Sequence, residues 1–77
     1  MPEILNFKML HAYKMRVIRD GDYEYIGYAH LGTATSAPAW AIMRSTYSAG
    51  ALVATEWADG DHLLDNVWDN YASLAYE

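Results

Sequence analysis

The chain has 77 residues, a formal net charge of −5 and no cysteine. A chain of this length forms one small domain and buries only about 60% of its unfolded surface on folding, and without cysteine neither a disulfide nor a thiolate zinc site adds stability. The acidic balance excludes an ordinary nucleic-acid-binding protein, because phosphate binding needs clustered Lys and Arg. Three Trp, seven Tyr and one Phe are more rings than so small a core is expected to bury, so we expect contacts with other subunits.

The first ten residues, MPEILNFKML, form a short apolar segment. They lack the basic region and cleavage pattern of a signal peptide, and no apolar run in the chain reaches the roughly 18 residues that span a bilayer. We therefore expect a protein made in the cytoplasm with no membrane partner. Residues 1–10 are predicted to be an N-terminal arm that docks on a neighbouring subunit, with an edge strand of its own sheet as the open alternative. The predicted contact residues of the arm are Ile4, Leu5, Phe7 and Leu10.

Residues 11–77 are predicted to be a single β domain that opens with a hairpin. In YKMRVIRDGDYEYIGYAH, Asp20-Gly21 separates two alternating runs, which predicts a type I′ turn between strands 13–18 and 23–28. With Arg19 opposite Asp22, one face of the hairpin carries the predicted core residues Tyr13, Met15, Val17, Ile26 and Tyr28. The other face mixes cations and rings, and we predict that it contacts protein through Lys14, Arg16, Tyr23 and Tyr25.

A loop over HLGTATSAPAW leads to a second predicted hairpin, residues 39–47 and 52–57, closed by a three-residue Ser-Ala-Gly loop. Ala-Asp-Gly at 58–60 predicts the next turn. Apolar residues between 63 and 71 have helical spacing, which predicts a short helical segment capped by Asp59 or Asp61, followed by a terminal strand. The predicted fold is all-β: a small antiparallel meander or barrel-like sheet of about five strands.

The acidic stretch EWADGDHLLDNVWDN, residues 56–70, raises the question of a metal or catalytic site. An EF-hand loop needs Gly at its sixth position and Glu at its twelfth, whereas Gly60 directly follows the first Asp. The three His residues have no cysteine partner, no HExxH spacing and no nucleophile motif. We predict no metal, no cofactor and no catalytic residue. The predicted structural turn and core residues are Gly21, Trp40, Trp57, Asp59, Gly60, Asp65, Trp68 and Asp69.

Charge is distributed unevenly along the chain. Residues 1–44 hold all five bases and four acids, while residues 45–77 hold six acids and no base. This asymmetry indicates either a solvated acidic face or the complementary halves of a head-to-tail subunit contact.

Five segments form an ordered pattern over roughly residues 25–76: YIGYAHLGTAT, AWAIMRSTY, EWADG, DNVWDN and ASLAY. They resemble a pattern of small β-rich virion proteins of tailed bacteriophages, which runs Ile-Gly-x-Ala, Trp-x-Ile and Tyr, Trp-Ala-Asp-Gly, Asp-Asn-x-Trp-Asp-Asn, and Ser-Leu-x-Tyr. The matching positions are Ile26, Gly27, Ala29, Trp40, Ile42, Tyr47, Trp57, Ala58, Asp59, Gly60, Asp65, Asn66, Trp68, Asp69, Asn70, Ser73, Leu74 and Tyr76. The chain departs from the pattern at Tyr71, where Arg is frequent. The resemblance implies a structural role in a phage particle.

We therefore expect a non-enzymatic structural subunit of a phage virion, which contacts other virion proteins and copies of itself. The tail, neck or baseplate is the first expected location and capsid decoration the second. The rival prediction is a stand-alone module that binds carbohydrate or peptide through exposed Tyr and Trp. Such a module should be a monomer with a concave aromatic groove, whereas a virion subunit should bury more than about 1,000 Å² against its neighbours.

Overall fold

A computed structural model describes residues 13–77, which form one open antiparallel sheet. Its strands are β1 (Tyr13–Asp20), β2 (Tyr23–His30), β3 (Pro38–Ser48), β4 (Ala51–Trp57) and the two-residue β5 (Asn66–Val67), followed by a 3-10 helix, Trp68–Ser73. The prediction of a mostly β meander of about five strands with one short helical segment is confirmed. The sheet is not a barrel, because β1 and β4 are its two ends and do not pair. The predicted arm, residues 1–10, lies outside the described residues.

The β1–β2 hairpin has the predicted strands with a different turn. Asp20 lies opposite Tyr23, so the two turn residues are Gly21 and Asp22, and the predicted register is wrong by two residues. The cause is the backbone of Gly21, whose φ of +61° suits the first central position of a type II′ turn, where glycine is favoured. A shift of two residues leaves every side chain on its predicted face, because side chains alternate with a period of two.

The β3–β4 hairpin is tighter than predicted. Ser48 pairs with Ala51, so its loop has two residues, Ala49 and Gly50, both with positive φ as in a type I′ turn. The predicted three-residue loop, which included Ser48, is wrong. The register shifts between Thr46 and Tyr47, which pair with Ala54 and Leu52, and the skipped residue Val53 forms a β-bulge.

The chain beyond β4 turns at Asp59 and Gly60, as predicted, and both residues have positive φ. The helix predicted from residue 63 is wrong, because residues 66 and 67 pair with β3 instead, and the helical segment starts only at Trp68. The predicted caps also fail: no side chain caps this helix, and Asp61 instead accepts a hydrogen bond from the Leu63 N–H at 3.0 Å. The terminal strand is reduced to one bridge between Ala58 and Tyr76.

The hydrophobic core lies on one side of the sheet, here called the packed face and carried by Tyr25, Gly27, Ala29, Trp40 and Ile42. Trp40 and Ile42 are fully buried. The C-terminal segment returns over this face and covers it with Trp68, Tyr71, Leu74 and Tyr76. The fold is therefore a sheet with one covered face.

The predicted core face is the wrong one. Its members, together with Met43, lie on the opposite side of the sheet, here called the open face: Tyr13, Met15, Val17, Ile26, Tyr28 and Met43. Met15 is 58% exposed and Val17 52% exposed. The reason is space, since Gly27 and Ala29 leave room on the packed face for the rings of Trp40 and Trp68. A β-carbon built on Gly27 would lie 2.5 Å from Trp68 Cε3.

Candidate interaction surfaces

An aromatic cluster fills the packed face. The centroid of the Tyr25 ring lies 4.9 Å from that of Tyr71 and 5.7 Å from that of Tyr76, and Trp68 stacks on Tyr71 at 5.2 Å. Tyr25 is only 5% exposed. The prediction that Tyr25 contacts another protein is therefore wrong, because this ring is already buried within its own domain.

The other predicted contact residues of this face lie at the margin of the core. The Lys14 ammonium lies 5.3 Å from the Trp40 ring centroid, and Tyr23, 39% exposed, packs against Arg44. Arg16 is exposed. The structure thus divides the predicted cation-and-aromatic surface into a buried ring and a cationic strand at the edge of the sheet. A role of Lys14, Arg16 and Tyr23 in protein contact stays a prediction.

Arg44 joins the sheet to the C-terminal segment. Its guanidinium lies 4.8 Å from the ring centroids of both Tyr23 and Tyr76, and its Nη2 donates to Glu56 Oε1 at 3.0 Å. This hydrogen bond raises the pKa of Arg44. Sequence reasoning missed this site, in which Arg44 is one base in an apolar strand, because its partners come from β2, β4 and the chain end.

The Tyr76 phenol makes the fold sensitive to alkali. Its hydroxyl donates to the Tyr71 carbonyl at 2.6 Å, and burial raises its pKa above the ordinary value of 10.0, with Tyr25 adding to the rise and Arg44 opposing it. Because the folded state disfavours the phenolate, the unfolded state loses the proton at lower pH. This stabilisation is complete below about pH 10 and is lost as the pH rises from there toward the folded-state pKa.

We expect the free energy of unfolding to fall with pH above about 10, and to fall less steeply in Tyr76→Phe. Urea unfolding curves at several values between about pH 8 and pH 11 measure this slope. Tyr13→Phe, which removes an exposed phenol from the open face, is the matched control and should keep the parent slope. Equal slopes for Tyr76→Phe and the parent would contradict the prediction.

The open face is a continuous apolar surface. Val17 lies opposite Ile26, which lies opposite Met43, and Met15 lies opposite Tyr28, so these side chains form cross-strand rows. No helix or strand of residues 13–77 packs over them. Trp57, opposite Met43, extends the surface to β4 and is half-buried beside His62. An exposed apolar surface of this kind usually marks a contact with another molecule.

Among the predicted acidic turn residues, Asp59 adopts a turn conformation with positive φ, and a turn-forming role of the Asp65 and Asp69 carboxylates stays a prediction. Asp59 and Gly60 form the turn after β4, and the Asp65 carboxylate accepts a hydrogen bond from the Asn66 amide at 3.1 Å. The Asp69 backbone N–H donates to Thr35. Within residues 13–77, no group of three His, Asp or Glu side chains is arranged to hold a metal ion.

Of the remaining members of that set, Trp40, Trp68 and Gly21 are in the core and the first turn, whereas Trp57 is not in the core but half-buried on the open face. Trp40 and Trp68 are buried, as predicted, and the Trp40 indole donates to the Ala34 carbonyl at 2.9 Å. Gly21 lies in the turn of the first hairpin. The predicted contact residues Ile4, Leu5, Phe7 and Leu10 lie outside the described part of the chain.

The comparisons with known proteins give no match. No protein-family model, no curated protein and no solved structure matches the chain significantly. Within the described residues, no helix is long and apolar enough to cross a membrane. Any function must therefore be argued from the residues and their geometry.

Proposed function

We propose that the chain is a non-enzymatic structural subunit of a bacteriophage virion, located in the tail, neck or baseplate, with capsid decoration as the second location. Its partners are other virion proteins and copies of itself. The observation that carries the proposal is the open face, since a sheet with one apolar face uncovered is completed by another protein surface.

The energetics of the open face support a permanent partner. Burying a side chain such as Met, Val or Ile is worth about 1.5 to 3 kcal/mol, and Met15 and Val17 are more than half exposed. A small domain with a single covered face has little stability to spare. A neighbouring subunit that covers Met15, Val17 and Ile26 therefore stabilises both the contact and the fold.

The residues that carry the resemblance to phage virion proteins support a structural role. Trp40, Ile42 and Trp68 are core residues, and Gly27 makes room for the Trp68 ring. The Asp-Gly pair at 59–60 forms a turn. The buried members of the pattern thus follow the packing of this fold, and its Asp-Gly pair follows a turn, as expected of residues with a structural role.

The proposal predicts that the chain is a stoichiometric component of particles. Particles of the phage that encodes the chain are purified on a density gradient and washed in high salt. Quantitative mass spectrometry should then find peptides of this chain at a fixed ratio to the major capsid protein. Absence from washed particles would overturn the proposal. Absence together with monomeric behaviour and glycan binding would favour the stand-alone binding module.

A further inference from the structure

The two edges of the sheet carry opposite charge. Strand β1, at one edge, holds three bases and one acid: Lys14, Arg16, Arg19 and Asp20. The other edge, formed by the end of β4, the following turn and the chain end, holds four acids and no base: Glu56, Asp59, Asp61 and Glu77. The ion pair between Arg44 and Glu56 is the only one within residues 13–77. The three cations of β1 therefore have no acidic partner in the described part of the chain.

Both edges also present unpaired backbone groups within the described residues. Among residues 13–77, β1 pairs only with β2, and the chain end covers β4 only at Trp57–Asp59. The remainder of β4, ALVAT at 51–55, has no charge and no proline, and its Leu52 and Val53 are 57% and 59% exposed. Free edges are ordinarily protected by charges, proline or bulges. Only the bulge at Val53 is present here, so this edge is open to another strand.

Copies placed side by side would match these charges. Arg16 lies opposite Gly27, Gly27 lies opposite Ile42, and the Ala58 N–H donates to the Ile42 carbonyl, so Arg16 and Ala58 are at the same level of the sheet. A neighbour set beside β4 without a shift along the strands brings its Lys14 and Arg16 level with the acidic turn and the chain end. Its Arg19 is then level with Thr55, where the uncovered part of β4 begins. Because the four strands alternate in direction, the neighbour's β1 runs antiparallel to β4.

We propose that the chain associates head to tail with copies of itself, the basic β1 edge of one copy docking on the β4 edge and acidic turn of the next. Such a contact uses two different surfaces, so it propagates into a closed ring or a filament. The inference deepens the proposed function, because it names a second copy as the partner of the two edges. It leaves the open face for a different contact.

Two charge-reversed variants of the full chain test the contact by sedimentation velocity and native mass spectrometry. The first is Lys14→Glu with Arg16→Glu, and the second is Asp61→Lys with Glu77→Lys. The parent should associate in a concentration-dependent way that weakens with salt. Each variant alone should associate at least roughly tenfold more weakly, because like charges then meet. An equimolar mixture should recover association, because every contact in an alternating assembly again joins opposite charges.

The matched control is Asp22→Lys with Asp69→Lys, which changes net charge as the second variant does but at the hairpin tip and the 3-10 helix. It should associate like the parent. Circular dichroism checks that each variant is folded. A parent chain that stays monomeric in low salt up to about 0.5 mM would overturn the inference, as would a mixture that does not recover. Undiminished association of the second variant alone would indicate a symmetric β1–β1 contact instead. Particle incorporation is measured separately, so either proposal can fail without the other.

Discussion

Replacing Gly27 by alanine is expected to lower the free energy of unfolding by about 2 to 3 kcal/mol, because overpacking a well-filled core typically costs 1 to 3 kcal/mol. The added carbon would lie 2.5 Å from Trp68 Cε3 and 2.7 Å from Cζ3. The Trp68 ring has no room to withdraw, since it is 5% exposed and packs between Trp40 and Tyr71. In a domain of this size such a loss corresponds to a melting temperature lower by about 10 °C or more.

The sign of this effect is informative. Without the ring, alanine in place of glycine in a strand should be stabilising by roughly 0.5 to 1 kcal/mol, because glycine loses more conformational freedom on folding. The control is therefore a double-mutant cycle with Trp68→Leu, which removes the two nearest ring atoms and leaves only Trp40 Cε3, at 3.1 Å, close to the added carbon. In the Trp68→Leu background, Gly27→Ala should therefore cost much less than in the parent. Equal losses in the two backgrounds, measured by thermal and urea unfolding, would contradict the prediction.

Local sequence signals were sufficient for strands β1 to β4 and for the turn at Asp59, and they also sorted the side chains of the first hairpin correctly between its two faces. They did not identify the covered face. Hydrophobicity favoured Met15, Val17 and Ile26 as core, whereas the true core needs space for rings that arrive from the C-terminal segment. The signal that was available is the pair Gly27 and Ala29, two small residues at alternate positions of β2, which leave room for the rings on the packed face.

The C-terminal region shows why spacing alone failed there. The residues between 63 and 71 have a helical pattern, but β4 ends at Trp57 and leaves the beginning of β3 without a partner. Residues 66 and 67 take that position, and Asn66 is buried by the pairing. Tertiary pairing outweighs the local helical pattern here, because the backbone N–H and C=O groups of β3 require hydrogen-bond partners. The opposite charge of the two edges likewise follows from the strand order. The uneven charge of the sequence alone left two interpretations open, a solvated acidic face or a head-to-tail subunit contact.

Placing charges on the open face is expected to block incorporation into particles while leaving the isolated domain folded. We choose Met15→Glu with Val17→Lys, which keeps the net charge, because both side chains are more than half exposed in the domain. Exposed substitutions usually change stability by about 0.5 kcal/mol or less. At a covered contact, the two changes forgo about 3 to 6 kcal/mol of apolar burial and bring charged groups into the interface. Incorporation in competition with the parent chain should fall at least roughly tenfold, a change that needs only about 1.4 kcal/mol.

The matched control for the open face is Leu31→Glu with Leu63→Lys, which replaces two equally exposed apolar side chains outside it. Both doubly substituted chains are supplied in trans to particles that lack the protein, and their copy number per particle is measured by mass spectrometry. The control should be incorporated like the parent, since Leu31 and Leu63 lie in the loops after β2 and β4. If the Met15 and Val17 variant is incorporated as well as the control, while its melting temperature is unchanged, the open face faces solvent in the particle and the contact lies elsewhere. If its melting temperature instead falls sharply, the polar but uncharged variant Met15→Gln with Val17→Thr is tested next. Its melting temperature and its copy number per particle then decide whether the two residues serve folding or contact.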